Sequence, residues 1–294
     1  MINSHTLQRN IRLDRHTSIG LGGDVDYFWT VVKSDDLPNV LEEVYALGHS
    51  PFILGGGSNL VVSDAGVQGS VVTSTSARPP VFGDEVVVDG GYEWDRFVAD
   101  AVLAGWSGVE LMSGIPGKVG AAPIQNIGAY GQEVSEVIQW VEVLWLDTLS
   151  VEVFDNASCE FAYRTSVFKA LYSGRLIVTR VAFRLNRAEE VELQYKDLVE
   201  RLGPRCTPQV GRQAVLKIRA DKGMTLNHGH GYSSAGSFFM NPVIGRTQFE
   251  SLAEAAGGQI PSWSVGDNEV KVQDPNYRAP WPVQFHRSPH KPGQ

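Results

Sequence analysis

Cysteine is scarce in this chain: Cys159 and Cys206 are the only two, far apart and without a CxxC or zinc-ligand spacing. That excludes a disulfide framework and leaves two buried thiols as the expectation. A basic excess is missing as well. At a net charge of −8 the chain lacks the cationic face that phosphate-backbone binding needs, so nucleic acid is not an expected partner. No apolar run approaches the length of a membrane span. The N-terminus, Met1-Ile2-Asn3-Ser4-His5 followed by Arg9, Arg12, Asp14 and Arg15, has no signal-peptide core. A cytoplasmic protein without a membrane partner is therefore expected. Internal repeats and low-complexity tracts are lacking too, although residues 279–294 are rich in Pro and His. What is present, 294 residues of which 43% are hydrophobic, suffices for a sizeable core and more than one domain.

The most unusual stretch is 112–131, which sets five glycines and two prolines among small apolar residues, with Lys118 as its only charge. Glycine at 114, 117, 120, 128 and 131 weakens both helix and strand, so a buried loop is expected. Two readings fit it. Either something flat and large lies against its backbone, which needs close approach and free amide donors, or it is a tightly packed turn between core strands. A second glycine loop, Gly55-Gly56-Gly57-Ser58-Asn59, follows Phe52-Ile53-Leu54 and precedes Leu60-Val61-Val62. It reads as strand, glycine turn, strand, with successive amides suited to a pyrophosphate. A Walker loop is excluded because no Lys-Ser or Lys-Thr follows, and Leu60 breaks the Gly-x-Gly-x-x-Gly spacing.

Along the chain, residues 24–32 are strand-like, Ser34 and Asp35 are N-cap candidates, and Leu37, Val40, Leu41 and Val44 recur at helical spacing until Gly48. With the strand before Gly55 this makes a βαβ unit. A second α+β unit follows, with strand 86–88, a turn at Gly90-Gly91, and a helix lined by Phe97, Val98, Ala101 and Val102 that ends at Gly105. Residues 140–146 and 151–154 flank Asp147-Thr148-Leu149-Ser150 as a hairpin, and 176–185 reads as a further strand. Thr207-Pro208 introduces an amphipathic helix carrying Val210, Ala214, Val215 and Ile218. The polar, glycine-bearing stretch 221–234 after it marks a domain junction near 219.

Several residues are candidates for chemistry. Ser237, between Gly236 and two phenylalanines, is either a proton donor in a dry pocket or a serine hydrogen-bonded to backbone. Arg164, among aromatic and apolar neighbours, pairs either with a ligand carboxylate or with a structural one. Tyr195 and Lys222 read as surface groups or ligand contacts. His228-Gly229-His230 lacks a cysteine or acidic partner at ligand spacing, so a solvated loop is favoured over a metal site.

Gly55-Gly56-Gly57-Ser58-Asn59, Gly114-Ile115-Pro116-Gly117 and Gln125-Asn126-Ile127-Gly128-Ala129-Tyr130-Gly131, in that order and spacing, resemble the FAD-binding signatures of the UDP-N-acetylenolpyruvoylglucosamine reductase family. The resemblance runs from about His16-Thr17-Ser18 to about Val270-Lys271. It implies an α+β fold: a two-lobed FAD-binding domain of the vanillyl-alcohol-oxidase/PCMH type and a smaller, truncated α+β substrate domain. The implied divisions are 1–75 and 76–218 for the two lobes, with 17–187 as the FAD-binding region, and 219–294 for the substrate domain. Gly55, Gly56, Gly57, Ser58, Asn59, Gly117, Asn126, Gly128, Tyr130 and Gly131 would hold FAD. By the same resemblance Ser237 is the proton donor, Arg164 stabilises the enolate on the substrate carboxylate, and Tyr195 and Lys222 contact the substrate diphosphate. Asn241 lines the pocket, and Met240 departs from the lysine or threonine usual there.

The implied reaction is FAD-dependent reduction of UDP-N-acetylenolpyruvoylglucosamine to UDP-N-acetylmuramate with NADPH, in peptidoglycan precursor synthesis. A flavin oxidase acting on another small molecule is one rival. A second is a flavin- or nucleotide-sugar-binding protein without turnover. It arises because the family continues beyond the position of Lys271 to a glutamate in a Glu-Pro context. Here Val272-Gln273-Asp274-Pro275 leads instead into a proline-rich stretch without that glutamate. That loss of periodicity reads as a shifted frame or truncated product, with a genuine short variant as the alternative, and apolar surface is expected to be exposed around Phe249, Leu252 and Trp263.

Overall fold

The computed structural model describes residues 5–225, 232–234, 240–257, 260–265, 268–272 and 284–286. Strand β1 (His5–Arg12) runs antiparallel to β2 (Asp24–Val31). Helix α1 (Leu37–Ala46) follows, then β3 (Pro51–Leu54) and β4 (Val67–Ser74). The sheet order is β1-β2-β4-β3, and β4 pairs parallel to both neighbours. The expected βαβ unit is therefore present, but β4 has inserted between its two strands. Leu37, Val40, Leu41 and Val44 all face one way from α1 and are buried on Trp29, Val31 and Val72. Leu144 and Ile177, from later strands, complete that cluster. The other face of the sheet buries Leu13, Val25, Phe28, Leu54 and Val71.

Two sequence readings are corrected here. The stretch 60–62 forms no strand, because Leu60 and Val62 turn to pack on that second cluster rather than continue a ladder. In addition, β1 has almost no apolar pattern and was not foreseen; its residues are mostly exposed, as suits a sheet edge.

The second sheet, order β5-β10-β8-β9, is antiparallel throughout. It begins with β5 (Val86–Asp89), after which helix α2 (Trp94–Leu103) buries Phe97, Val98, Ala101 and Val102 as the spacing predicts. The short strands β6 (Gly128–Ala129) and β7 (Gln132–Glu133) form a miniature hairpin. Then come the expected hairpin, β8 (Ile138–Trp145) with β9 (Val151–Asp155), a single-turn helix α3 (Val167–Ala170), and β10 (Leu176–Phe183) at the sheet centre. The core of this unit packs Phe97 against Phe183, the rings tilted by 32° with centroids 4.7 Å apart. The glycine-rich stretch contributes Met112, Val119, Ala122 and Ile127 to the same core.

Strand β11 (Val191–Glu192), helix α4 (Lys196–Leu202), strand β12 (Arg205–Cys206) and helix α5 (Pro208–Asp221) come next. Thr207 caps α5, its hydroxyl accepting from the Val210 amide at 3.3 Å, and Pro208 occupies the first turn where no amide partner is needed. Val215 and Ile218 bury against Leu111, Leu193, Leu198 and Cys206. The division expected between 218 and 219 falls inside α5.

Beyond it lie β13 (Tyr232–Ser234), β14 (Val243–Gly245), α6 (Arg246–Ala256), β15 (Ser262–Ser264), β16 (Glu269–Val272) and β17 (Gln284–His286). Strands β14-β16-β15 form a small antiparallel sheet over Ile260, Val270 and Val272, with Phe249 packed against it. Leu252 and Trp263 are exposed as expected, whereas Phe249 is half-covered. Among the described residues no helix is long and apolar enough to cross a membrane.

Candidate functional site

The two glycine segments lie backbone against backbone. A Cβ on Gly56 would sit 2.6 Å from the Gly117 Cα, so Gly56 has no room for a side chain, whereas at Gly117 a Cβ would meet only the Ser58 hydroxyl at 3.4 Å and the φ of +122° is what favours glycine. The Ser58 hydroxyl donates to the Pro116 carbonyl at 3.2 Å, and the Ser18 amide donates to Gly57 at 2.9 Å, which fixes the loop from both sides. Gly57 is left-handed, φ +63°, and a Cβ there would run into the His16 carbonyl. By contrast Gly55 and Asn59 are exposed, and a Cβ at Gly55 would meet only the Ala121 methyl at 3.8 Å. The amides of Gly57, Ser58 and Asn59 find no acceptor among the described residues. This combination, a floor without side chains edged by unpaired amides, is a cradle for an anionic, flat-sided group such as the diphosphate of a dinucleotide.

Lys118, missed as a site residue although it is the charge within the loop, directly follows Gly117. It is only 9% exposed, and its ammonium donates to the Ser74 carbonyl and the Thr73 hydroxyl. Burial holds its pKa below the ordinary lysine value against the pull of Glu93 and Asp89. The Ser74 hydroxyl is buried and has no partner among the described residues.

The other end of the glycine stretch is rigid for reasons that sit in buried polar groups. Glu110, wholly buried, accepts from the amides of Gly108 at 2.7 Å and Val109 at 3.2 Å, and from Gln132 Nε2 at 2.6 Å. Gln132 in turn accepts from the Leu111 amide at 2.8 Å, which ties the β6–β7 hairpin to the preceding chain. Asn126 adopts φ +44° and is 2% exposed. Its amide donates to Glu133 Oε2 at 2.9 Å and to the Ala162 carbonyl at 3.2 Å, while its oxygen accepts from Ser135. Asparagine tolerates the left-handed region better than other side chains, and here every polar atom of it is used. Gly128 is crowded by Gln132 and Glu133, and Gly131 is left-handed with open space beside it.

Arg164 also has positive φ, +56°, and its guanidinium donates to the Gly128 carbonyl at 3.1 Å. Tyr130 packs edge-on against Tyr195, centroids 5.1 Å apart, and burial raises the pKa of both phenols. Lys222, at the C-cap of α5, pairs with Asp197 at 3.5 Å, close to Tyr195 at the N-cap of α4. The structure thus brings Gly128, Tyr130, Arg164 and Tyr195 together, with Lys222 adjoining through Asp197. Asn241 is half-buried just ahead of β14. Ser237, His228 and His230 lie outside the described residues.

Arg219 was not singled out from the sequence, yet it sits at the centre of this group. Burial lowers its pKa, while the Tyr130 and Asp95 fields oppose that and nearby Arg164 adds to it. Its Nε is buried without a partner among the described residues, and its Nη2 reaches the Met224 carbonyl at 3.4 Å. Two guanidinium groups with spare donors beside two phenols make an anion-receiving wall next to the cradle.

The profile of the FAD binding domain matches residues 25–148, which span the glycine cradle and the β6–β7 hairpin. The chain is 41% identical over 281 residues to the UDP-N-acetylenolpyruvoylglucosamine reductase of Thermobifida fusca, covering 90% of this chain and 78% of that protein. It is 41% identical over 273 residues to the reductase of the same name in Salinispora arenicola, with 88% and 75% covered. For Bacteroides fragilis strain YCH46 the figure is 35% over 274 residues, covering 90% and 80%. The crystal structure of the Thermus caldophilus reductase superposes with a TM-score of 0.60 at 24% identity, over 91% of this chain and 87% of that one, a likeness of fold.

Proposed function

Because the chain belongs to the UDP-N-acetylenolpyruvoylglucosamine reductase family, we propose that it reduces the enolpyruvyl ether of UDP-N-acetylglucosamine with FAD as cofactor and NADPH as hydride source. The observation that carries this reading is the Arg164 to Gly128 hydrogen bond, 3.1 Å, which sets a cation for a carboxylate on the very loop that edges the flavin cradle. FAD, when bound, supplies a store for hydride between two substrates that do not react directly with each other.

The chain's own residues do the rest. Gly55, Gly56, Gly57, Ser58 and Asn59 together with Gly117 bind the diphosphate through backbone amides and leave space for it. Asn126, Gly128, Tyr130 and Gly131 would hold the remainder of the cofactor. Arg164 binds the substrate carboxylate and stabilises the charge that develops there as the double bond is reduced. Ser237 donates the proton to the carbon next to that carboxylate. Tyr195 and Lys222 hold the UDP diphosphate, with Asn241 orienting the sugar. The domain roles follow: lobes 1–75 and 76–218 for the cofactor and 219–294 for substrate, in a cytoplasmic enzyme of peptidoglycan precursor synthesis.

Anaerobic stopped flow tests the proposal. Purified protein carrying FAD is mixed with NADPH, and the reduced protein is then mixed with the enolpyruvyl nucleotide sugar. Bleaching in the first step and recovery of colour in the second support the assignment. Bleaching without recovery would leave a flavin protein without turnover, and bleaching by a small alcohol or acid but not by NADPH would make it an oxidase.

A further inference from the structure

The β6–β7 hairpin is too small to hold itself. Each of its strands has two residues, and an isolated pair that short is not stable in water. Its turn places Tyr130 at φ +52° and Gly131 at φ +92°, as a two-residue hairpin turn requires, although that region is unfavourable for a tyrosine. Yet the hairpin carries a load, because the Gly128 carbonyl accepts from the Arg164 guanidinium at 3.1 Å. What holds it lies on the other strand. Gln132, cross-strand from Ala129, donates from Nε2 to Glu110 Oε1 at 2.6 Å and accepts the Leu111 amide on Oε1 at 2.8 Å. The second Glu110 oxygen accepts from the amides of Gly108 at 2.7 Å and Val109 at 3.2 Å. The Glu133 to Asn126 hydrogen bond joins near neighbours in the chain, whereas Gln132 reaches 22 residues back. There Leu111 is anchored in the core that it shares with α5.

A wholly buried carboxylate is a costly way to fill space. What it supplies is direction, since four N–H groups converge on the Glu110 and Gln132 side chains and fix both. Resting on the function proposed above, we propose that Glu110 is a positioning residue for substrate recognition: through Gln132 it sets the hairpin, and thereby the Gly128 carbonyl that aims Arg164 at the substrate carboxylate. The pair is complementary in a way that single changes break and a double change restores. In Glu110→Gln, an oxygen kept on the Gly108 and Val109 amides turns the new Nε2 against the Gln132 Nε2; if Gln132 turns over, its NH2 faces the Leu111 amide instead. Gln132→Glu sets two carboxylates face to face. Glu110→Gln with Gln132→Glu exchanges the roles and retains all four hydrogen bonds.

The test titrates the full FAD-bearing chain calorimetrically with two ligands, the enolpyruvyl nucleotide sugar and UDP-N-acetylglucosamine, which lacks the carboxylate. Each single variant is expected to lower the preference for the first ligand over the second by about 10-fold, the lower end of what an unpaired buried polar group costs. The double variant should recover the preference of the unaltered protein, which a loss of general packing would not do. Flavin content and melting temperature are followed alongside. Single variants that melt earlier but keep the preference, or that weaken both ligands equally, would make the pair purely structural and overturn the inference. A folded double variant without recovery would overturn it as well, as would single changes that fold only when combined. All of these leave the proposed reaction intact. Failure of the unaltered protein to bind either nucleotide sugar would instead overturn the proposed reaction, and with it the role of Arg164 that this inference serves.

Discussion

Gly56 and Gly117 touch through their backbones: a Cβ on the first would stand 2.6 Å from the Cα of the second. The segments they belong to are about sixty residues apart in the chain, and their contact builds the floor of the cradle.

That contact separates two kinds of glycine. Gly56→Val has to push protein backbone aside, so it should cost stability by about 1–3 kcal/mol as an overpacked position does, and lose flavin as a consequence. Gly55→Ala meets only the Ala121 methyl at 3.8 Å. It should leave the melting temperature of the flavin-free protein unchanged while lowering flavin content, because the cofactor's space is what the methyl enters. Chemical denaturation and the ratio of flavin to protein absorbance measure the two effects. Full flavin occupancy in Gly55→Ala would place the diphosphate elsewhere.

Asp95 in the first turn of α2 joins three parts of the chain. It accepts from both arms of Arg212 on α5, at 2.6 and 2.9 Å, and from the Gly114 amide at 2.6 Å. Burial works against its ionisation, but the Arg212 and Gly114 hydrogen bonds outweigh it and hold the carboxyl below its ordinary pKa. Arg212 is 15% exposed and Asp95 40%, so the pair lies between a surface ion pair and a buried one. Asp95→Ala should lower unfolding free energy by about 1–2 kcal/mol, read as a shift in denaturant midpoint. A shift indistinguishable from zero would mean that α5 is held by its apolar face alone.

Much of this is legible in the sequence. The spacing of Leu37, Val40, Leu41 and Val44, and of Phe97, Val98, Ala101 and Val102, announced two helices because one-sided burial demands that period. Glycine density marked both loops because close backbone contact leaves no other choice of residue. By contrast, β1 was invisible: an edge strand with exposed side chains has no period to read, and its existence depends on the free edge of β2. Leu60 and Val62 looked like a strand because apolar neighbours carry no sign of whether they pair or pack. Arg219 escaped notice for a different reason. Nothing local distinguishes it from a solvated cation, and its surroundings come from Tyr130, Asp95 and Arg164, which are distant in sequence.

Both thiols should be silent in the folded protein. Cys159 is wholly buried and burial pushes its pKa up to about 12; Cys206 is also buried and its pKa is raised. A disulfide reagent at pH 8 should therefore find no reactive thiolate in minutes and two thiols per chain in denaturant. Fast reaction of one thiol in the native protein would show that its surroundings open locally.

His16 gives the protein a pH dependence of predictable sign. Its ring lies 4.3 Å from that of Phe28, beside the cradle, and its pKa is lowered from 6.5 by burial first and then by Lys118 and Arg15, with Asp14 opposing. In the unfolded chain the imidazole takes up its proton near 6.5, whereas in the folded chain it does so only at lower pH. The unfolded state thus binds more protons in the interval between. Stability contributed by the neutral ring is complete above about 6.5 and is lost as pH falls through the folded value. The Asp95 carboxyl acts in the same direction but below the ordinary carboxylate value of 3.8, so the two windows do not overlap. Thermal melts at pH 7.5 and 5.5 should show a drop for the unaltered protein that is smaller in His16→Gln. An equal drop in both would assign the acid sensitivity to other groups.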